Sequence, residues 1–190
     1  MSYFDKDVQL GPPGRAPKWD PTLRYFLNLT RHTPRDLLRL LESIRQVQVR
    51  EGVQQHRRIS TPIIREGVLR YSSDYFVGAI KNEFAGFERG PDVVAAALTA
   101  LQGIRKPVFT RDDFFASLKH EIDGADGMLT NELLRMFFMA GAIGNKMSTS
   151  PSSYLQFYHR RDDVQIYLRG QFILASPLTY AWSLAFGDGY

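Results

Sequence analysis

Apolar positions recur on a helical period through most of the chain. Leu37, Leu38, Leu40, Leu41, Ile44 and Val47 form a stripe that predicts a helix ending by Gly52. Its start is marked by Thr33 as N-cap, Pro34 at the first helical position and Asp36 in the first turn. Ser60-Thr61-Pro62 repeats the signal, with Thr61 as cap and Pro62 as first residue, ahead of Ile63, Ile64, Val68 and Tyr71. Ser72-Ser73-Asp74 predicts a break or kink before Tyr75, Phe76, Ala79, Ile80 and Phe84 resume the pattern. Residues 86–90 are a boundary. Beyond it, Pro91 opens a helix through Val93, Val94, Ala97, Leu98 and Leu101, closed by Lys106-Pro107. Thr110 and Asp113 have capping-box spacing ahead of Phe114, Phe115, Leu118 and Ile122. Residues 123–127 are a turn, and Thr130 is expected to cap a third helix through Leu133, Leu134, Met136, Phe137 and Met139, stopping near Gly141.

The period then changes. Residues 142–145 and 154–158 have strand character, and Val164, Ile166 and Leu168 alternate with Gln165, Tyr167 and Arg169. Residues 147–153 and 160–163 are turn-rich connections, and a short helix over 176–186 begins with Pro177 at its first position. At the other end, Gly11-Pro12-Pro13-Gly14 and Pro17 are expected to prevent regular structure. Residues 1–19 therefore read as an extended arm, anchored by Trp19, Tyr25 and Phe26, with a short helix over 21–29. The expected fold is mainly α with a small β-wing: a helical domain over 20–88, then a winged helix-turn-helix domain over 89–190. Three helices, a small strand and a two-stranded ribbon are the order that points to the latter.

Composition adds that 44% of the 190 residues are hydrophobic, enough for a real core. Cysteine is absent, which excludes disulfides and thiolate metal sites and fits a cytoplasmic setting. No apolar run approaches the ~20 residues needed to span a membrane, and the N-terminus has no signal-peptide pattern. The net charge of +4 is uneven: residues 15–70 hold 12 Lys/Arg against 5 Asp/Glu, while residues 71–190 carry a balance of −2. Phosphate attraction, if any, is expected in the first third.

Catalytic patterns are missing. There is no phosphate-cradling GxxxxGK[ST], no GxGxxG and no GxSxG. His32, His56, His120 and His159 share no ligand spacing, and residues 123–127 lack the closing Glu of a calcium loop. No catalytic residue, metal ligand or cofactor is assigned. Arg35 is the most pointed candidate, because a cation in the first turn of a capped helix opposes the helix dipole. Pairing with Asp36 or Asp20 would explain it structurally. Arg57, Arg58, Arg135, Arg160 and Arg161 are the nucleic-acid candidates. Asp162-Asp163 opposes the last two, and the third helix offers base readers only in Asn131, Glu132 and Arg135. Its Met136, Phe137, Phe138 and Met139 want a core or a protein partner.

The run Thr33-Pro34-Arg35-Asp36-Leu37-Leu38-Arg39-Leu40-Leu41 resembles the "RPRDLIRLLN" helix of a group of bacterial P-loop ATPases related to the STAND and AAA-like classes. Arg70-Tyr71-Ser72, Ala79-Ile80-Lys81-Asn82-Glu83-Phe84, Gly141-Ala142-Ile143-Gly144-Asn145 and Tyr154-Leu155-Gln156-Phe157-Tyr158 resemble later segments of that group in the same order, over roughly residues 19–180. The resemblance implies that residues 20–88 are lid-like, that Arg35 is similar to a nucleotide-sensing arginine supported by Asp36, and that the winged helix is a regulatory or docking module. The implied partner is an ATPase core, on the same or a separate chain, or another protein. Nucleic acid is the alternative partner, in a transcriptional-regulator reading. Three departures stand out: the nucleotide-binding core motifs are absent, Thr33-Pro34 stands where the group has Arg-Pro, and Ser176-Pro177 replaces its closing His-Pro. The chain is expected to be either the C-terminal part of a larger protein or a stand-alone relative without its motor.

Overall fold

The Thr33 signal produces the helix it predicts. In the computed structural model, which describes residues 4, 6–10, 18–53, 58–87, 89–149, 152–160 and 164–184, helix α2 spans Pro34–Arg50 and follows α1, Thr22–Leu29. The Thr33 hydroxyl accepts the Asp36 backbone N–H at 3.1 Å, satisfying one of the donors that a helix start leaves unpaired. The apolar stripe of α2 is narrower than expected: Leu40, Ile44 and Val47 are buried, Leu37 and Leu41 flank them, and Leu38 faces solvent. Helix α3, Thr61–Arg70, packs on α2. It begins at Thr61, and the capping position falls on Ser60 with no side-chain cap bond, so the Thr61 cap does not form. Gly67 makes the packing close: a Cβ there would lie 2.6 Å from the Ile44 Cα.

The expected break at Ser72-Ser73-Asp74 is a widened turn instead. Residues Tyr71–Phe76 form a π-helical segment between α3 and α4, Val77–Glu83, and the helix continues through it. The Ser72 hydroxyl, fully buried, donates to the Val68 carbonyl at 2.7 Å. Such back-bonding competes with the regular ladder, and one extra residue per turn relieves the competition.

The N-terminal segment is more ordered than its prolines suggest. Strands β1, Asp7–Leu10, and β2, Lys18–Pro21, pair antiparallel; residues 11–17 lie outside the described residues. Val8 is fully buried and Phe4 meets Phe26 edge-on at 5.2 Å, so these two residues anchor the segment while Trp19 stays 57% exposed. Tyr25 and Phe26 are buried as expected.

Past residue 90 the order is α5 (Pro91–Gly103), β3 (Val108–Thr110), α6 (Arg111–Glu121), α7 (Gly127–Met139), β4 (Ile143–Thr149), β5 (Ser152–Gln156), a 3-10 turn at Tyr158–Arg160, β6 (Gln171–Leu174) and α8 (Ser176–Ala181). The capping box forms, with Thr110 and Asp113 exchanging hydrogen bonds. Asp126, not Thr130, caps α7 by accepting the Leu129 N–H at 2.7 Å; Thr130 is buried one turn further in, its hydroxyl donating to the Asp126 carbonyl. The four strands lie antiparallel in the order β3-β6-β4-β5.

Two expectations about the ribbon change. The stretch 147–153 is largely strand, because β4 and β5 form a tight hairpin pairing Thr149 with Ser152. Val164, Ile166 and Leu168 do alternate in burial with Gln165, Tyr167 and Arg169, but they form no strand. Both edges of β4 are already taken by β5 and β6. The Asn145 side chain pins the stretch instead, accepting the Tyr167 N–H at 2.8 Å and donating to its carbonyl at 3.0 Å.

Helix α8 returns to the first half of the chain, packing on α1, α3 and the π-segment, with the Tyr25 and Tyr180 hydroxyls 3.0 Å apart. The described residues form a mainly helical protein with small antiparallel sheets, and the buried apolar residues of both halves belong to one cluster. No helix among them is long and apolar enough to cross a membrane.

Candidate functional site

The start of α2 is held by a buried charge cluster. Asp36 is fully buried, and its carboxylate accepts four hydrogen bonds: Arg31 Nε at 2.8 Å, Arg31 Nη2 at 3.1 Å, the Arg31 backbone N–H at 3.1 Å and the Tyr75 hydroxyl at 2.9 Å. Arg31 also donates to Glu83 at 2.8 Å and lies over the Phe76 ring, 5.7 Å from its centroid. The π-segment thus supplies Tyr75 to the acid and Phe76 to the cation. Burial alone would push the Asp36 carboxyl up, but the Arg31 hydrogen bonds and charge, with Tyr75, hold it below the ordinary carboxylate value.

Asp36 therefore serves Arg31, not its neighbour. Arg35 is exposed and makes no hydrogen bond or ion pair among the described residues; Asp20, the other acid weighed for it, pairs with Arg24 at 2.8 Å. Arg35 lines the mouth of a cleft of about 450 Å³ with Pro34, Glu83, Met139, Tyr158 and His159. The cleft lies between the start of α2, the ends of α4 and α7, and the 3-10 turn. Its size is within the range of small-molecule sites.

No protein-family model, curated protein or solved structure matches this chain.

Of the remaining basic candidates that are described, Arg160 alone lines either cavity. Arg57 and Arg161 lie outside the described residues. Arg58 and Arg135 are exposed and line neither this cleft nor the smaller cavity behind it. Arg160 is half-buried beside that smaller cavity, over the Phe157 ring at 4.8 Å. Among the described residues no group of three or more His, Cys, Asp or Glu is placed to hold a metal.

Reasoning along the chain did not single out Arg31, Tyr75 and Glu83, or place His32 against His159. Arg31 looks like any basic loop residue, and its link to Glu83 spans 52 positions. His159 stands in the sequence only as one of four histidines without ligand spacing.

His159 gives the site a pH dependence. Burial, then the charges of Arg160, His32 and Arg31, lower its pKa from 6.5 to about 4, against a smaller opposing effect of Asp36. A histidine lowered in the folded state is neutral there while the unfolded chain takes up a proton. Its contribution is complete above pH 6.5 and is lost as pH falls toward about 4. Allowing for solvent screening of a partly exposed ring, the loss is about 1–2 kcal/mol. Urea denaturation at pH 7 and pH 4.5 should show it, and His159→Asn should flatten that interval. An equally steep decline in the variant would place its origin elsewhere.

Proposed function

We propose that this chain is a regulatory and docking module of a P-loop ATPase, working in the cytoplasm with a nucleotide-binding core on another chain or another part of the same one. One observation carries the reading: Arg35 is exposed at a ligand-sized cleft, in the first turn of a firmly capped helix, with no partner among the described residues. A cation there opposes the helix dipole at a cost of about 0.3–1 kcal/mol. A phosphate presented by a second module supplies the missing partner through charge-assisted hydrogen bonds. Asp36 supports this role indirectly, by fixing the helix start from which Arg35 projects. The resemblance of the Pro34-Arg35-Asp36 helix to the lid helix of bacterial P-loop ATPases points the same way.

Residues 91–175 fit a winged helix used for docking. The order α5-β3-α6-α7-β4-β5-β6, with β6 between β3 and β4, supports this assignment; β5 then extends the β4 edge. In such a domain the third helix, here α7, is the usual contact surface. Its solvent face carries Met128 and Met139, 73% and 62% exposed. Two of its three polar readers are occupied: Asn131 accepts from Arg111 at 2.7 Å and Glu132 pairs with Arg89 at 3.2 Å. Adaptable thioethers beside engaged polar groups favour a protein partner.

The element order also favours a second reading, DNA binding through α7. Arg135 is then the reader left free to act. Under the docking reading, Arg135→Ala changes the affinity for a DNA duplex by no more than about twofold, a loss below that of one base contact. Fluorescence anisotropy over a salt series checks this. A loss of about tenfold or more on one duplex sequence only would favour the regulator reading.

The ATPase reading itself is tested by purifying the native assembly through a tag on this chain. The assembly should hydrolyse ATP and the isolated chain should not. Hydrolysis by the isolated chain, or an assembly without a P-loop protein, contradicts it.

A further inference from the structure

Two side chains at the smaller cavity, Arg160 and His159, lack the partners their chemistry demands, whether or not the ATPase reading holds. Arg160 is half-buried, and its shielded Nε has no hydrogen-bond partner among the described residues. Its polar contact is a long one, Nη2 to the Asn28 side-chain oxygen at 3.5 Å, and no carboxylate among the described residues pairs with it. Taking a guanidinium out of water without a counter-charge is costly. Beside it, neither ring nitrogen of His159 has a hydrogen-bond partner among the described residues. His32 completes the group: its backbone is in the left-handed region, φ 59°, and its exposed ring meets His159 edge-on at 5.2 Å. A non-glycine residue held at positive φ stores strain, and such residues cluster at functional sites.

Among the described residues the surroundings offer no compensation. Asp36 is committed to Arg31 and Tyr75, and Glu83 to Arg31. Tyr158 adds a hydroxyl from the same turn as His159. Gly141 after α7, and Ser176 and Pro177 of α8, close the junction without a charge. The geometry points to an oxyanion site at this junction, where Arg160 and His32 grip a phosphate group from the solvent side and His159 stands behind them. The enclosed cavity at Arg160 and His159 is only about 10 Å³, so the phosphate sits at its outer mouth. A phosphate supplies the counter-charge for Arg160 and favours protonation of both imidazoles. Nucleotides and the nucleic-acid backbone present the same group, and the test separates them.

The test follows the imidazole signals of the ¹⁵N-labelled chain while pyrophosphate is added at constant ionic strength. His32 and His159 should shift together and saturably, and both should titrate at higher pH with pyrophosphate bound. Arg160→Gln should weaken binding by about tenfold or more, the scale of a lost charge-assisted contact. His32→Gly, which suits the positive φ and so keeps the fold, should weaken it as well. Lys119→Ala, which removes an exposed cation that lines neither cavity, should leave it unchanged. Competition by ATP or by a short DNA duplex then identifies the source of the phosphate. Absence of a saturable shift, or wild-type affinity in both Arg160→Gln and His32→Gly, overturns the site.

Discussion

Asp36→Ala is expected to destabilise the chain by about 3–5 kcal/mol, as when one partner of a buried ion pair is removed. The carboxylate has no exposure, and four hydrogen bonds converge on it. Its loss leaves the Arg31 guanidinium, with an 11% exposed side chain, holding only Glu83 and the distant Ala140 carbonyl. It also strands the Tyr75 hydroxyl and frees the Arg31 backbone N–H. Glu83→Ala is the contrast: that carboxylate is half in solvent, and its loss should cost about 1 kcal/mol or less. Chemical denaturation of the three proteins at neutral pH measures both differences. A loss below about 1 kcal/mol for Asp36→Ala means the cluster is not the clamp described here. The acid limb gives a second check. Because the Asp36 carboxyl is held low, its contribution is complete above pH 3.8 and disappears only as pH falls further, below the interval where His159 acts.

Arg35→Ala should do the reverse, sparing the fold and removing activity. The side chain is exposed and unpaired among the described residues, so the stability of the isolated chain should change by about 1 kcal/mol or less. Thr33→Ala, two residues away, should cost about 0.5–2 kcal/mol through the lost cap. In the proposed ATPase assembly the order should invert. A guanidinium facing a phosphate in a closed, poorly hydrated site stabilises charge that water would otherwise screen, and removing one such donor typically lowers turnover by about 100-fold or more. The cap variant should retain turnover wherever its helix remains folded.

Local signals were legible in the sequence, and contacts between distant residues were not. The Thr33 cap and the Thr110–Asp113 box are written within four residues, so spacing alone places them. Thr130 misled because Asp126 stands four residues earlier and captures the N-terminal amides first. Alternation at Val164, Ile166 and Leu168 reported burial correctly, but pairing depends on which edges of β4 remain open, and β5 and β6 fill them. The return of α8 to α1 and the π-segment joins residues 155 apart through Tyr25 and Tyr180, a separation that no periodicity encodes. At the candidate site, Arg35 and Asp36 stood out from capping chemistry. The cation that uses Asp36 is Arg31, brought back by the turn before α2, and the π-turn that aims Tyr75 at the acid appeared in the sequence only as a suspected kink.

The most direct test compares ATP turnover of the native assembly carrying wild-type chain or Arg35→Ala, beside thermal melts of the same two isolated chains. The account predicts superimposable melts and turnover reduced by about 100-fold. Undiminished turnover contradicts the sensor role, and unfolding of the isolated Arg35→Ala chain makes Arg35 a structural residue.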